Sequence, residues 1–256
     1  MAVALLTAKV LDPEGNEVGE VALPSVFKAP IREDIIHRAV VASLTRRLQP
    51  QGRDTMAGKR TTAESRGVGF GMARVPRIRR TGVAKFASMT VGGRTTHPPK
   101  VAKKIRKKIN RKEKELAFAS ALSATAAPDL VRARGHIIGD RQLPIVVSRQ
   151  AETLEKTVSV VNFLEKLGLG EELERCLEKR KRLKTGVKAP RGPLLVVGGR
   201  CKLATAAKSV PGVEVVTAQK LSVEDLAPGG KPGRLTIWVE PSLEILGKRL
   251  SGGVAS

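Results

Sequence analysis

Between Gly67 and Gly82 the chain reads Gly-Val-Gly-Phe-Gly-Met-Ala-Arg-Val-Pro-Arg-Ile-Arg-Arg-Thr-Gly, and this stretch holds the residues best suited to chemistry. Arg74, Arg77, Arg79 and Arg80 carry planar guanidinium forks. Such forks match phosphate oxygens in pairs, which lysine contacts only as a point charge. Glycines let a backbone approach a crowded surface closely. Val75, Pro76 and Ile78 alternate with the arginines and keep the strip extended rather than helical. A charge run is ordinarily a solvated face. Here Asp54 and Glu64 are the only acids between positions 50 and 100, against eleven basic residues. The acid-poor, glycine-rich composition favours an extension that binds RNA.

Other constellations offer weaker chemistry. Gly67-x-Gly69-x-Gly71 lacks the third glycine of a dinucleotide fingerprint, with Met72 and Arg74 in the positions that follow. Gly52 to Gly58-Lys59-Arg60 imitates a phosphate loop but is one residue too long, and Arg60 replaces the magnesium-binding Ser or Thr. Leu194-Leu-Val-Val-Gly-Gly-Arg200 is a strand entering a Gly198-Gly199 turn and a helix, a shape that holds nucleotides or methyl donors. It keeps an RNA-modifying enzyme with a Rossmann-like cofactor site as the alternative reading. The next apolar run, Val213 to Thr217, has its acid in the middle rather than at its end. His37, His97 and His136 are scattered, with no Ser/His/Asp or metal-ligand grouping. Cys176 and Cys201 lack CxxC spacing and read as small buried apolar residues. No catalytic residue, metal or cofactor is indicated.

The composition is that of a globular chain under one electrostatic demand. The 256 residues are 41% hydrophobic and 28% charged, with a formal charge of +23. That excess points to a polyanionic partner, nucleic acid or an anionic membrane surface. Aromatic residues make up 2% of the chain, too few for base-stacking platforms or for the apolar edge of a membrane-surface helix. No apolar run approaches the length of a membrane span, and the N-terminus lacks the pattern of a secretory signal, so a cytosolic location is expected.

The excess charge is concentrated in three windows. Beyond the insertion at 50–100, residues 101–114 hold eight basic residues against Glu113, and residues 179–191 hold seven and no acid. RNA contacts are therefore assigned beyond the four arginines above. In the insertion they are Arg53, Lys59, Arg60, Arg66, Lys85, Arg94 and Lys100. Lys103, Lys104, Arg106, Lys107, Lys108 and Arg111 follow it, and Lys179, Arg180, Lys181, Arg182, Lys184 and Lys188 form the third set.

The balanced remainder must position these windows, and it reads as α/β. Val3–Val10 and Glu17–Leu23 flank an Asp-Pro-Glu-Gly-Asn turn and suggest an edge hairpin. Ile31, Ile35, Ile36, Ala39, Val40, Leu44 and Leu48 have helical spacing, with Glu33 and Asp34 at the start. Ile105, Ile109, Leu116 and Ala119 form one stripe of a second long helix over 101–122. Four apolar runs follow: Pro144–Val147, Leu194–Val197, Val213–Val216 and Leu235–Val239. They alternate with helices near 152–167, 171–183, 200–209 and 241–250, and Ser222 to Asp225 has a capping pattern. The expected fold is α/β, with a mainly parallel central sheet flanked by helices and a long irregular basic loop inserted after the first long helix. Residues 1–48 and 101–256 form the globular domain and 49–100 the loop. With eight glycines and four prolines the loop cannot build a core, and it is expected to order against RNA.

Several of these stretches also resemble one family. Phe27-Lys-Ala-Pro-Ile-Arg-Glu-Asp-Ile35, Ala63-Glu-Ser65, Ala73-Arg-Val-Pro-Arg-Ile78, Arg134-Gly-His136, Pro211-Gly-Val213 and Leu226 to Trp238 occur in the order seen in the archaeal and eukaryotic form of the ribosomal protein L four family. The resemblance implies a structural protein that grips large-subunit ribosomal RNA with an α/β domain. It also implies a loop that threads to the constriction of the nascent-peptide exit tunnel, beside ribosomal protein L twenty-two. Carried over by motif, the tunnel tip falls at Gly67, Gly69, Phe70, Gly71 and Met72. The chain departs from the family at Arg66, where Trp is usual, and at Phe70, where Arg is usual. Its end at Ser256, without the eukaryotic extension, favours the archaeal type.

Overall fold

The computed structural model describes residues 7–139, 141–181 and 191–251. The start of the first apolar run and three predicted contacts, Arg182, Lys184 and Lys188, lie outside the described residues.

Thr7–Leu11 (β1) and Glu17–Ala22 (β2) form the expected antiparallel hairpin. Gly15, with φ of +88°, closes its turn, a conformation that strains any side-chain-bearing residue. Ala8 and Val10 point inward from β1, whereas β2 is almost wholly exposed at the edge. Glu33–Arg46 (α1) buries Ile35, Ile36, Ala39 and Val40, one stripe at helical spacing, with Glu33 and Asp34 in the first turn.

The second long helix differs from expectation. It runs Arg111–Thr125 (α2), and residues 101–110 are not helical. A helix there would stack Lys103 on Lys107 and Lys104 on Lys108, like charges four residues apart, with only the narrow stripe of Ile105 and Ile109 against them. The buried stripe is Ala117, Phe118, Ala121 and Leu122, while Leu116 is exposed. Arg38 on α1 pairs with Glu113 on α2 at 2.6 Å.

Pro128–Ala133 (α3) leads to Ile145–Val147 (β3), and Thr157–Lys166 (α4) and Gly170–Lys181 (α5) follow. Leu194–Val197 (β4), Lys202–Ala207 (α6), Glu214–Thr217 (β5) and Val223–Leu226 (α7) come next. Asp225 accepts from both the backbone N–H and the hydroxyl of Ser222, at 3.0 and 2.7 Å, which caps α7. Thr236–Val239 (β6) and Glu240–Ser251 (α8) end the described chain.

The strands order as β2-β1-β3-β6-β4-β5, all parallel except β2. The last strand in sequence thus occupies the centre of the sheet. Strand residues alternate between two apolar layers. Val146, Val196 and Trp238 face α1, α2, α7 and α8, while Val147, Leu195, Val197 and Ile237 face α4, α5 and α6. Central strands covered on both faces become near-continuous apolar runs, which is why Leu194–Val197 and Thr236–Val239 are buried throughout. Trp238 is fully buried and meets Phe27 edge-on, ring centroids 5.7 Å apart.

Charges enter this core only in company. Arg234 is fully buried; its Nη1 donates to Glu214 and to the Asp225 carbonyl, both at 2.8 Å, and its Nε donates to the Gly192 carbonyl at 3.1 Å. Glu172 is also fully buried and accepts from Arg175 Nε at 2.7 Å, from the Ile137 N–H at 3.1 Å and from His136 Nδ1 at 2.7 Å. Burial pushes the Glu172 carboxyl up, but these three donors outweigh it and hold the group below the usual carboxylate range. Burial likewise depresses His136 more than Glu172 raises it, so the imidazole is neutral.

Two predictions follow from this core. Trp238→Ala removes the largest buried side chain from the central strand and lowers stability by about 3–5 kcal/mol in urea unfolding. Glu172 and His136 both have folded-state pKa values below their unfolded ones. Their stabilisation is complete above pH ~6.5, the ordinary imidazole value, and drains away as pH falls through the lowered values. Urea midpoints measured from neutral to acid pH should fall, and Glu172→Gln should lower the midpoint throughout the range.

Candidate nucleic-acid interface

By backbone proximity the described chain separates into two units, residues 45–107 and the remainder. The smaller unit contains seventeen basic residues and two acids. Past the end of α1 at Arg46 it has no regular helix or strand, yet it carries its own hydrogen-bond scaffold. Arg77 pairs through its backbone with Glu64 on one side and bridges to Ala84 on the other. The Ile78 N–H donates to the Val83 carbonyl at 3.0 Å, and the Gly82 N–H closes a turn onto the Ile78 carbonyl at 2.9 Å. At Gly58 an added Cβ would fall 2.5 Å from the Gly93 carbonyl oxygen, so two chain segments cross there in near contact.

The glycines at the expected tip work differently. Gly67, Gly69 and Gly71 all have positive φ, and an added Cβ at any of them would meet nothing. Within this chain they permit left-handed turns rather than close packing. The turns leave Val68, Phe70 and Met72 exposed, the first at 79%.

Of the predicted contacts in this unit, Arg53, Lys59, Arg60, Arg66, Arg74, Arg79, Arg80 and Lys100 are exposed, as are Lys103, Lys104, Arg106 and Lys107. Lys108 and Arg111 are exposed in the larger unit, together with Lys179, Arg180 and Lys181 in the last turn of α5. Arg77, Lys85 and Arg94 are half-buried. Arg77 Nη1 donates to the Gly82 carbonyl at 3.0 Å, and Lys85 Nζ donates to the Val91 carbonyl at 2.9 Å, so both cations brace turns. The two acids are already engaged. Arg60 grips Asp54 with both terminal nitrogens and holds its carboxyl below the usual range, and Arg79 reaches Glu64 at 3.2 Å. Exposed pairs of this kind are weak and exchange readily for phosphate.

The enzyme hint at Gly198–Gly199 is filled by the protein's own groups. The Gly198 N–H points to Glu152 Oε1 at 3.4 Å, Lys202 pairs with Glu155, and a Cβ at Gly198 would meet Pro241 at 3.0 Å. A carboxylate stands where a cofactor phosphate would need a donor. Cys176 is buried and Cys201 half-buried, both free, with burial pushing the thiols up. His37 and His97 are exposed, and no group of His, Cys, Asp or Glu that could hold a metal occurs among the described residues. Among the described residues no helix is long and apolar enough to cross a membrane.

Charge counting missed a second basic cluster in the larger unit. Arg134, Arg175, Arg191 and Lys231 line a cavity of about 330 Å³ with His136 and Gly229. Arg134 and Lys231 stand outside the three basic windows, and Arg175 belongs to a helix with four acids and four basic residues, so only Arg191, at the end of the third window, shows in the charge count. The sequence signal was the pair of motifs Arg134-Gly-His136 and Pro228-Gly-Gly-Lys231, nearly a hundred residues apart, which Arg134 joins by donating to the carbonyls of Pro228 and Lys231.

A sequence profile of the ribosomal protein L4/L1 family matches residues 21–249. The chain is similar to the large ribosomal subunit protein uL4 of Saccharolobus islandicus strain M.14.25, 48% identical over 257 residues with 96% of each chain covered. It is equally similar to that of Saccharolobus solfataricus, and 45% identical over 255 residues to that of Sulfurisphaera tokodaii, again with 96% of each covered. An α/β sheet bearing an acid-poor insertion after its first long helix, matched by this profile and these relatives across nearly its whole length, belongs to the ribosomal protein L4/L1 family.

Proposed function

We propose that residues 45–107 enter folded ribosomal RNA and bring the Gly67–Met72 turns to the wall of the nascent-peptide exit tunnel, beside ribosomal protein L twenty-two. The chain is a structural constituent of the large ribosomal subunit, works in the cytoplasm on the ribosome, and binds large-subunit RNA without catalysing a reaction. One observation carries the loop's role: seventeen cations and two engaged acids stand on a scaffold of turns with exposed apolar groups at its tip. Phosphates replace the missing acids, and each neutralised phosphate releases counterions, so binding weakens steeply with salt. An aromatic-poor surface reads shape and backbone rather than base edges. Small and flexible groups at Gly67, Gly69, Gly71 and Met72 suit a passage that must let many peptide sequences slide by.

Deleting residues 60–90 should leave the remaining domain folded in a thermal melt while abolishing its retention on large subunits through a high-salt gradient. A deleted protein that unfolds would place the loop inside the core. Arg74→Ala, Arg79→Ala and Arg80→Ala should each lower the salt slope of RNA binding by about one. Arg77→Ala should instead weaken binding at every salt concentration, because its guanidinium braces the Gly82 turn. Unchanged slopes in all three exposed variants would remove these arginines from the phosphate contacts.

A further inference from the structure

The border between β2 and α8 has the opposite chemistry to the basic windows. A groove of about 490 Å³ separates the end of β2, from Val21 to Pro24, from one face of α8. Of the α8 residues that line it, Leu243 is buried, Glu240 half-buried and Glu244 exposed. An added Cβ at Gly247, one turn further along the same face, would meet nothing, so the groove is open there.

Two demands go unmet in this groove. Glu240 and Glu244 stand four residues apart on one helix, where like charges repel. Among the described residues neither carboxylate has a hydrogen-bond or salt-bridge partner, in a chain with 47 basic residues against 24 acids. The second demand comes from the backbone. Among the described residues β2 pairs with β1 alone, so its other edge presents free N–H and C=O groups. Val18, 67% exposed, and Ala22 lie open along that strand, and Ala22 is also part of the groove wall. The charge selects the occupant. Two adjacent carboxylates repel phosphate, which turns this surface away from RNA. A second copy of the chain would bring the same carboxylates with it. An extended peptide laid on a sheet edge takes affinity from main-chain hydrogen bonds and specificity from pockets for alternate side chains.

We propose that the groove between β2 and α8 docks an extended, lysine- or arginine-bearing segment of a neighbouring protein in the large subunit. The segment adds to the free edge of β2 and places a cation against Glu240 and Glu244. This surface belongs to the larger unit and does not depend on the role proposed for residues 45–107. It gives the chain a protein-binding edge whose acidity separates it from the RNA-binding windows.

Large subunits assembled with the full chain carrying Ala22→p-benzoylphenylalanine, an exposed substitution, should cross-link it to another protein on irradiation. Mass spectrometry should find Lys or Arg in the cross-linked segment. Adding Glu240→Gln and Glu244→Gln to the same chain should lower the yield of that product by roughly fivefold or more. A synthetic peptide of the cross-linked sequence should shift the amide resonances of Glu17–Ala22 in the isotope-labelled free chain, and should bind the Gln double variant roughly fivefold more weakly. A cross-link to RNA would make this an RNA surface and overturn the proposal. A cross-link to a second copy of the chain, to a segment without Lys or Arg, or to nothing would overturn it equally. Peptide binding that the double variant leaves unchanged would remove the two glutamates from the contact and overturn it as well.

Discussion

An unpaired cation cannot be buried without a large desolvation cost, and this chain has 47 basic residues to place against 24 acids. The whole architecture follows from that constraint. The sheet and its helices are made from the stretches in which charges balance, and there the apolar residues close two layers around β3, β6 and β4. The surplus is assigned to chain that never has to enclose anything. Residues 45–107 can therefore be held only by turns, backbone bridges and a few side-chain braces such as Arg77 and Lys85. An α-helix is denied to residues 101–110 by the same repulsion, and α2 begins only where alanines and Phe118 can reach the core.

Where cations do enter the domain they are held by several acceptors at once. Arg234 ties the loop before β4, β5 and α7 together through Gly192, Glu214 and Asp225. Glu172 anchors α5 to the backbone following α3 while also gathering Arg175 and His136. Arg249 on α8 donates to the carbonyls of Ala218 and Leu221 and stacks over Phe118 at 4.8 Å, which joins α8 to α2. These contacts use guanidinium groups as multidentate clamps for carbonyl oxygens. The same geometry suits phosphate, so the bracing and the exposed arginines differ by burial rather than by chemistry.

Much of this was legible in the order of residues. The alternating and continuous apolar runs located the hairpin and the parallel strands, and the 3.6-residue spacing of Ile35, Ile36, Ala39 and Val40 located α1. The acid-poor windows and the absence of any complete catalytic grouping indicated an RNA-binding structural protein, which the family match supports. The apolar stripe through Ile105 and Ile109 misled, because its period is helical while its intervening charges forbid the helix. Arg77 was indistinguishable from Arg79 in sequence, being separated from it by one residue and embedded in the same motif. Only its backbone pairing with Glu64 and Ala84 turns it inward.

Composition and spacing thus determined the α/β class, the place of the excess charge and the chain's demand for a polyanionic partner, since these are properties of neighbours along the chain. Tertiary structure alone decided which cations face outward and which brace the fold. It also decided that Arg134, His136, Arg175, Arg191 and Lys231 should share one cavity. The reason is geometric. The parallel sheet places β6 between β3 and β4, so segments far apart in sequence meet at its ends, and no local pattern records that meeting.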